Sequence, residues 1–379
     1  MPLALRGRLA SQAYTGPHTA LEQYLAFYRP AGTPGFHSAV VAASAQEQER
    51  LGYDSTLYPQ RATGPAVWPV VGWALSATQR LAVVAAHRVG VELPSVAARA
   101  LATLDRLSNG RAAVHVLQGR DDLDVQRDGM FLAKPQRYAL AEEYLDVFTR
   151  TLESDQPFDY HGQFYQLENA QADIQPAQRP RPTISIPGTS DHGVTLAARY
   201  ADVYSVPIAT EQTASRAITR IRLQADQLGR TRPLGYWADA NIILGTTDAQ
   251  AWAWAHQIAD TLQAEKASTP AYDHGNAQAA LQQWGAHEHS GAWYPRLNQL
   301  TGHGYTLVGS VDSLARHLLD FYQLGIETIT LGGIANRFDA QGRSCSDPEQ
   351  LALLKALIDA LHHGALLIDA QRGVARAAY

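Results

Sequence analysis

The chain has a single cysteine, Cys345, in 379 residues. One thiol excludes an intramolecular disulfide and any metal site built from several thiolates. The surrounding GRSCSDPE is typical of a polar loop, and we expect no role for this cysteine. Runs of lysine or arginine are also missing. With 31 basic and 36 acidic residues and a net charge of −5, the basic surface of a nucleic-acid-binding protein is not expected.

Long hydrophobic runs are missing as well. No stretch reaches the ~18 uninterrupted apolar residues of a membrane helix, and Arg6 and Arg8 stand where a signal peptide needs its apolar stretch. We therefore expect a cytoplasmic protein without a membrane segment. The 46% hydrophobic and 18% charged residues are instead typical of a globular protein with a large core.

Short β-rich apolar runs alternate along the chain with longer helical patterns, which is typical of βα units around a parallel sheet. Eight runs are candidate strands: Leu5–Ala13, Ser55–Pro59, Leu81–Val89, Ala112–Gln118, Thr183–Pro187, Val203–Pro207, Leu234–Leu244 and Glu327–Gly332. Eight strands favour a (β/α)8 TIM barrel over a Rossmann sheet, because no GxGxxG motif follows a first strand. We expect one barrel domain over residues 1–379.

Two segments, residues 158–182 and 266–304, are longer than ordinary connections. In a barrel they are expected as insertions at the carboxyl-terminal mouth, where active sites lie. Helix signals are clear elsewhere: Pro94 opens one helical pattern, and either Ser310 or Asp312 can cap another.

The sequence PGTSDHG follows the fifth candidate strand and leads into a helical pattern. Gly188, Thr189 and Ser190 are therefore expected at a helix N-terminus, where free N–H groups and hydroxyls favour phosphate binding. A simple helix cap by Ser190 or Asp191 explains the same residues.

Two histidines are expected on barrel strands. Alternation in AAVHVLQG places His115 on one face with Ala113 and Leu117, so its side chain is a candidate for the barrel interior. An interior histidine can equally be a hydrogen-bonded structural residue. His87 and Arg88 end the third strand and are expected near the mouth.

Other catalytic motifs are missing. No GxSxG, GxxxxGK[ST] or HExxH motif is present, which removes the signatures of the commonest hydrolases, P-loop proteins and zincins. His287, Glu288 and His289 alternate in a loop with no further ligand cluster, so we expect no metal.

Several long segments resemble the luciferase-like flavin monooxygenases, with the alkanesulfonate monooxygenase branch nearest. They are PSVAARALATLDRLSNGR with HVLQG, FLAKPQRYALAEEYLDVF, FDYHGQFYQL, QRPRPTISIPGTSD and YTLVGSVDSLARHLLDFYQLGIETITLGG. The resemblance implies a (β/α)8 barrel that binds reduced FMN, usually supplied by a separate NAD(P)H-dependent reductase, and uses O2 to oxygenate a small molecule. In such an enzyme the cofactor carries the difficult chemistry.

The resemblance also implies roles for individual residues. The phosphate-binding serine pair of the family falls on Thr189 and Ser190, beside Gly188, and its phosphate-side tyrosine falls on Tyr138. Lys134 takes the place of a family histidine and still offers a cationic donor.

Beside the flavin ring, the family's asparagine or histidine on strand four corresponds to His115. The family loop after strand three, which often carries a non-proline cis peptide, corresponds to Ala86 and His87.

The catalytic positions of the sulfonate enzymes are not kept. Their cysteine, arginine, histidine, tyrosine and mobile-loop arginine fall on Gly64, Asp239, Asn241, Ile334 and a position near Leu300, with Arg296 the nearest substitute. The loss of cationic groups and the gain of Asp239 argue against an anionic sulfonate. We therefore expect a neutral or cationic substrate.

The sequence thus predicts an FMN-dependent monooxygenase, and barrels of this kind often form homo-oligomers. His115 and Asp239 are the candidates for proton transfer or substrate orientation, with Asn241 beside them, although Asp239 can equally be the structural partner of an arginine. Two alternatives stay open: hydride transfer with a deazaflavin, and a flavin-binding relative without oxygenase activity.

Overall fold

The computed structural model describes residues 2–29, 35–119, 122–267, 292–302, 304–333 and 336–373. Eleven strands lie in these ranges: β1 Ala4–Arg8, β2 Ser55–Tyr58, β3 Ala82–Arg88, β4 Ala112–Leu117, β5 Phe158–His161, β6 Gln166–Ala170, β7 Ile184–Ile186, β8 Val203–Val206, β9 Gly235–Leu244, β10 Tyr305–Gly309 and β11 Thr328–Gly332.

Twelve helices lie in the same ranges. They are α1 Ala20–Tyr28, α2 Ser38–Leu51, α3 Val67–Ser76, α4 Pro94–Leu107, α5 Asp122–Arg127, α6 Lys134–Glu153, α7 Asp191–Tyr200, α8 Glu211–Gln227, α9 Asp248–Ala267, α10 Pro295–Thr301, α11 Val311–Gln323 and α12 Pro348–Gln371.

The main sheet is the closed parallel barrel that the sequence predicts. Its strands follow the order β10-β9-β11-β1-β2-β3-β4-β7-β8, and β9 also pairs with β8. Eight strands, from β9 through β8, therefore form a (β/α)8 barrel with helices between successive strands. All eight predicted strands are present, with ends that differ by a few residues.

Two features of the sheets go beyond the eight predicted strands. β10 was not predicted as a strand, and it pairs in parallel with the second half of β9, from Ala240 to Leu244. β5 and β6 form an antiparallel hairpin inside the first long insertion.

Contacts divide the chain into two compact units. The first unit contains residues 1–54, 206–218 and 236–379, and the second contains residues 55–205 and 219–235. β1, β9, β10 and β11 belong to the first unit, whereas β2, β3, β4, β7, β8 and the hairpin belong to the second. The single barrel domain over residues 1–379 stays a prediction.

The helix signals in the sequence are followed closely. α4 begins at Pro94, and after its end Asn109 and Gly110 adopt positive φ values of 55° and 86°, which let the chain turn into β4. Of the two possible caps for α11, Ser310 accepts a hydrogen bond from the backbone N–H of Ser313.

α12 is the one helix among the described residues that is long and apolar enough to cross a membrane, with a mean hydropathy of 1.6 in its most apolar window. By length and composition alone this is weak evidence, because core helices of soluble proteins meet the same criterion. One face of α12 buries Leu354, Leu357 and Leu361, and Lys355 pairs with Asp359 on its surface.

Cys345 is buried, with 7% of its surface exposed, although its sequence context indicated a polar loop. Its backbone carbonyl accepts a hydrogen bond from Gln23 at 2.7 Å, and its backbone N–H donates to Arg337 at 2.7 Å. The residues around it therefore fold onto α1, and the thiol is enclosed with them.

Candidate active site

The loop between β7 and α7 makes a tight turn that requires glycine at position 188. Gly188 has a φ of 136°, and a Cβ there would lie 3.1 Å from the Cα of Gly193. Only glycine fits such a backbone conformation and such a close approach. Ser190, and not Asp191, caps α7 by accepting a hydrogen bond from the N–H of Gly193 at 3.2 Å.

Hydroxyl groups gather at this helix terminus, as the resemblance implied. The Tyr138 hydroxyl of α6 shares a hydrogen bond with the Ser190 hydroxyl at 3.1 Å. The Thr189 side chain is exposed beside them. Lys134, also exposed, stands one turn before Tyr138 on α6, and side chains four residues apart share a helix face.

Three more residues surround the loop, and the sequence did not indicate them. The His192 ring stacks on Tyr138 with ring centroids 5.5 Å apart. Tyr204 of β8 donates to the carbonyl of Gly188 at 2.7 Å. Arg220 of α8 donates to the carbonyl of Thr189 at 2.6 Å and forms an ion pair with Asp191.

The donors at this loop fit the phosphate of FMN. A phosphate monoester takes hydrogen bonds from hydroxyls and from the first N–H groups of a helix, and it gains from a nearby cation. Tyr138, Thr189, Ser190 and Lys134 are donors of these kinds. Asp191, an acidic side chain at the same helix terminus, is compensated by Arg220.

His115 lies on the sheet face opposite the helices. Strand register places it beside Ala86 of β3 and Ser185 of β7. Its Nδ1 atom lies 2.9 Å from the Ser185 hydroxyl, which donates to the carbonyl of Val114 at 3.3 Å. Either atom of this pair can be the donor, and the contact fixes the orientation of the His115 ring.

His87 lies on the opposite face of β3 from Ala86, and its contact with a cofactor stays a prediction. Its Nε2 atom shares a hydrogen bond with the Tyr144 hydroxyl of α6 at 2.6 Å, and its ring lies 5.1 Å from that of Trp68. Burial, followed by the nearby Arg88, lowers the pKa of His87 to about 4. The side chain is therefore a neutral part of the packing between strand and helices.

No cis peptide joins Ala86 and His87, so that expectation is wrong. Both residues lie within β3 rather than in the loop after it, and the cis peptide among the described residues is Arg179–Pro180. Ala86 nevertheless shares the sheet face of His115, so a cofactor contact for Ala86 stays a prediction.

Arg88, which the sequence placed near the mouth, is buried and held by ion pairs. It contacts Asp124 of α5 at 2.6 Å and also pairs with Asp128. Its backbone N–H donates to Gln60 at 2.9 Å. These contacts fix α5 and the turn after it to the carboxyl end of β3.

In the first unit, Asp239 of β9 is the partner of an arginine. Arg8, at the end of β1, donates through one guanidinium nitrogen to both carboxylate oxygens of Asp239, at 2.8 and 2.9 Å. Both side chains are about one-third exposed. Of the two roles left open for Asp239, the structure shows the ion pair, which does not prevent a second role in chemistry.

Asn241, two residues further along β9, is fully buried. Its Nδ2 donates to the carbonyl of Gly304 at 3.2 Å, whereas its Oδ1 has no hydrogen-bond donor within the described ranges. A Cβ on Gly332 would lie 2.9 Å from Cζ of Arg8 and 3.1 Å from Oδ1 of Asn241. Because Gly332 has no side chain, Arg8 and Asn241 can both lie close to its Cα.

The remaining sequence candidates are not part of these clusters. Gly64 is exposed, and Arg296 forms an ion pair with Asp260 of α9 at 2.7 Å. Ile334, His287, Glu288 and His289 lie outside the described residues. Where the chain is described, no group of three or more potential metal ligands occurs.

Comparisons with known proteins agree with this fold. The sequence profile of the luciferase-like monooxygenase family matches residues 23–328. DmoA from Hyphomicrobium sulfonivorans has a similar structure, with a TM-score of 0.66 and 18% identity over 100% of this chain and 90% of that one. EDTA monooxygenase (EmoA) from Chelativorans sp. BNC1 gives a TM-score of 0.70 and 15% identity over 99% and 95% of the chains.

An F420-dependent secondary alcohol dehydrogenase, solved with an F420-acetone adduct, is also similar. It gives a TM-score of 0.66 and 17% identity over 95% of this chain and 99% of that one. At these identities the likenesses to solved structures establish the fold alone.

Proposed function

This chain belongs to the luciferase-like monooxygenase family, and from that membership we propose that it uses reduced FMN and O2 to oxygenate a small organic molecule. It acts as the oxygenase half of a two-component system, in which a separate NAD(P)H-dependent reductase supplies the reduced flavin. We further propose a cytoplasmic homo-oligomer. The sequence resembles the alkanesulfonate branch, but we do not propose an alkanesulfonate as the substrate.

The observation that carries this proposal is the loop between β7 and α7. The hydroxyls of Tyr138 and Ser190 meet at 3.1 Å beside a glycine turn and a helix N-terminus. Tyr138, Thr189 and Ser190 would hold the phosphate of FMN, with Gly188 shaping the turn and Lys134 adding positive charge. The sequence resemblance assigned Thr189, Ser190, Tyr138 and Lys134 to the phosphate, and the turn before the helix added Gly188.

When bound, reduced FMN would supply the electrons that activate O2. Ala86 and His115 lie on the face of the barrel strands that is turned away from the helices. The small Ala86 side chain leaves room on this face. We propose that His115 transfers a proton or orients the substrate, and Ser185 fixes the orientation of its ring.

In the first unit, we propose that Arg8, Asp239 and Asn241 orient the substrate. Arg8 neutralises Asp239, so the carboxylate is not an uncompensated negative charge that favours a cation. This ion pair removes the electrostatic reason to prefer a cationic substrate, and we propose a neutral one. Asp239 can still move a proton, because about one-third of its side chain is exposed.

The second candidate function is hydride transfer with a deazaflavin. Two of the similar structures are described as an F420-dependent alcohol dehydrogenase and an F420-dependent reductase, which favours keeping this candidate. Both cofactors carry phosphate, so the loop between β7 and α7 alone does not separate them.

Cofactor titration followed by rapid mixing tests the proposal. We expect the intact protein to bind reduced FMN more tightly than F420 and to change the time course of flavin oxidation by O2. Tight F420 binding with negligible FMN affinity would favour hydride transfer. FMN binding with an unaltered oxidation time course, and with no product from a panel of neutral substrates, would instead indicate a flavin-binding relative without oxygenase activity.

A further inference from the structure

Two carbonyls of the phosphate loop each accept a hydrogen bond from a side chain that the sequence did not indicate. Tyr204 donates to the carbonyl of Gly188 at 2.7 Å, and Arg220 donates to the carbonyl of Thr189 at 2.6 Å. These are consecutive peptide units, so both are fixed by a donor from a neighbouring element.

Because peptide groups are rigid, these two contacts also fix the direction of the loop's N–H groups. The peptide bonds at this loop are trans, and in a trans peptide the C=O and the following N–H point in opposite directions. The N–H groups of Thr189 and Ser190 are therefore directed away from Tyr204 and Arg220. An anion receives hydrogen bonds from these N–H groups only in that orientation.

Arg220 also controls the charge at the loop. Asp191 is almost fully exposed, at 98% of its side chain, and stands at the first position of α7. An uncompensated carboxylate here would repel a phosphate at the same helix terminus. The ion pair with Arg220 offsets that repulsion, so one side chain both orients a peptide and neutralises an acid.

Tyr204 stays a neutral donor over the ordinary pH range. Burial raises its pKa to about 12, with opposite contributions from Arg220, which lowers the pKa, and Tyr138, which raises it.

We propose that Arg220 and Tyr204 are positioning residues that make the loop selective for a phosphate-bearing flavin over the same flavin without phosphate. This inference rests on the proposed FMN site. The residues act through the loop's N–H groups and through Asp191.

The test compares oxidised FMN with riboflavin, which has the same ring system but no phosphate. Fluorescence titrations of the intact protein give both dissociation constants for the wild type and for Arg220→Gln and Tyr204→Phe. Arg220→Gln loses the hydrogen bond to the carbonyl of Thr189 and the ion pair with Asp191. We therefore expect it to bind FMN about tenfold more weakly. Riboflavin affinity should change by less than about threefold. Tyr204→Phe should also weaken FMN binding more than riboflavin binding, by a smaller factor than Arg220→Gln.

Two further variants separate the roles of Arg220. Adding Asp191→Asn to Arg220→Gln should restore part of the FMN affinity, because the repulsive charge is gone. Arg222→Gln removes an exposed arginine from the same helix and should leave both affinities unchanged.

The outcomes distinguish this inference from the proposed function. A wild type that does not prefer FMN to riboflavin would contradict the phosphate site itself. A wild type that prefers FMN, with variants that retain the full preference or lose both flavins equally, would overturn the positioning role. Thermal unfolding of each variant identifies a loss caused by unfolding, and Tyr204→Phe then provides the decisive comparison.

Discussion

Arg8 reaches Asp239 by crossing β11 at Gly332. β11 lies between β1 and β9 in the sheet, and strand register pairs β11 with both neighbours. A Cβ at position 332 would come within 2.9 Å of Cζ of Arg8, so a glycine is what allows the side chain to pass. The φ angle of Gly332 is not positive. Glycine is therefore required here by the lack of room for a Cβ and not by backbone conformation.

Gly332→Ala should therefore displace Arg8 from Asp239. We expect oxygenase activity to fall by about tenfold or more, since a misplaced charged group near a reacting centre has large effects. The free energy of unfolding should fall by only about 1 to 3 kcal/mol, which is the usual cost of an added methyl in a packed site. Activity assays and urea unfolding measure the two quantities.

The matched variant Asp239→Asn removes the charge without adding bulk. Because partly exposed ion pairs contribute little, its free energy of unfolding should change by less than about 1 kcal/mol. Full activity in both variants would show that the Arg8–Asp239 pair has no role in the reaction.

His87 makes stability depend on pH in a defined window. Its pKa is about 4 in the folded protein and 6.5 ordinarily, so the unfolded chain binds more protons between these values. Stability contributed by neutral His87 is fully present above pH 6.5 and is lost as the pH falls toward 4.

His87→Gln should flatten that dependence by up to about 1.4 kcal/mol per pH unit, the slope for one proton. Urea unfolding at several pH values between 4 and 7 measures it, with the exposed His161→Gln as the control. Equal slopes in the wild type and in His87→Gln would contradict a neutral, buried His87.

Ser185 should tune the reactivity of His115. Ser185→Ala removes the hydrogen-bond partner of Nδ1, so the ring loses the contact that fixes its orientation. We expect the rate of flavin oxidation in rapid mixing to change in the same direction in Ser185→Ala and His115→Asn, with a larger change in His115→Asn. The ratio of FMN to riboflavin affinity should stay constant, because neither residue touches the phosphate loop. A changed ratio of FMN to riboflavin affinity would contradict a position of His115 beside the flavin ring and away from the phosphate.

Gly188→Ala should disturb the phosphate loop. At a φ of 136° an alanine is strained by about 1 to 3 kcal/mol, and its Cβ would meet Gly193. The loop should shift, and FMN affinity should fall while riboflavin affinity is nearly kept. Gly129→Ala offers a control, since that glycine also has a positive φ, of 82°, but has no atom within 4 Å of an added Cβ. FMN affinity that falls in Gly129→Ala but not in Gly188→Ala would contradict this account.

The sequence predicts the elements of this fold far better than the contacts of its site. Each barrel strand is a local apolar run between turn residues, and Ser190 and Ser310 cap helices through bonds three residues away. The sequence did not predict β10, because its five residues directly follow the second long insertion.

The site contacts depend on long-range register, which local patterns do not encode. Arg8 and Asp239 are 231 residues apart, and Arg220 and Thr189 are 31 apart on different elements. From the sequence, Asp239 therefore left a cationic substrate open beside a neutral one, because its compensating charge was not visible. The position of His87 depends on register too: the pairing of Ala86 with His115 puts His87 on the other face, and the contact with Tyr144 shows that this face meets the helices.

The most direct test of the central claim is a crystal structure of the intact protein with FMN. The account predicts the phosphate within hydrogen-bond distance of the Tyr138 and Ser190 hydroxyls, at the N-terminus of α7, with the flavin ring against the strand face that carries Ala86 and His115. A phosphate bound elsewhere, with those hydroxyls still bonded only to each other, would contradict it.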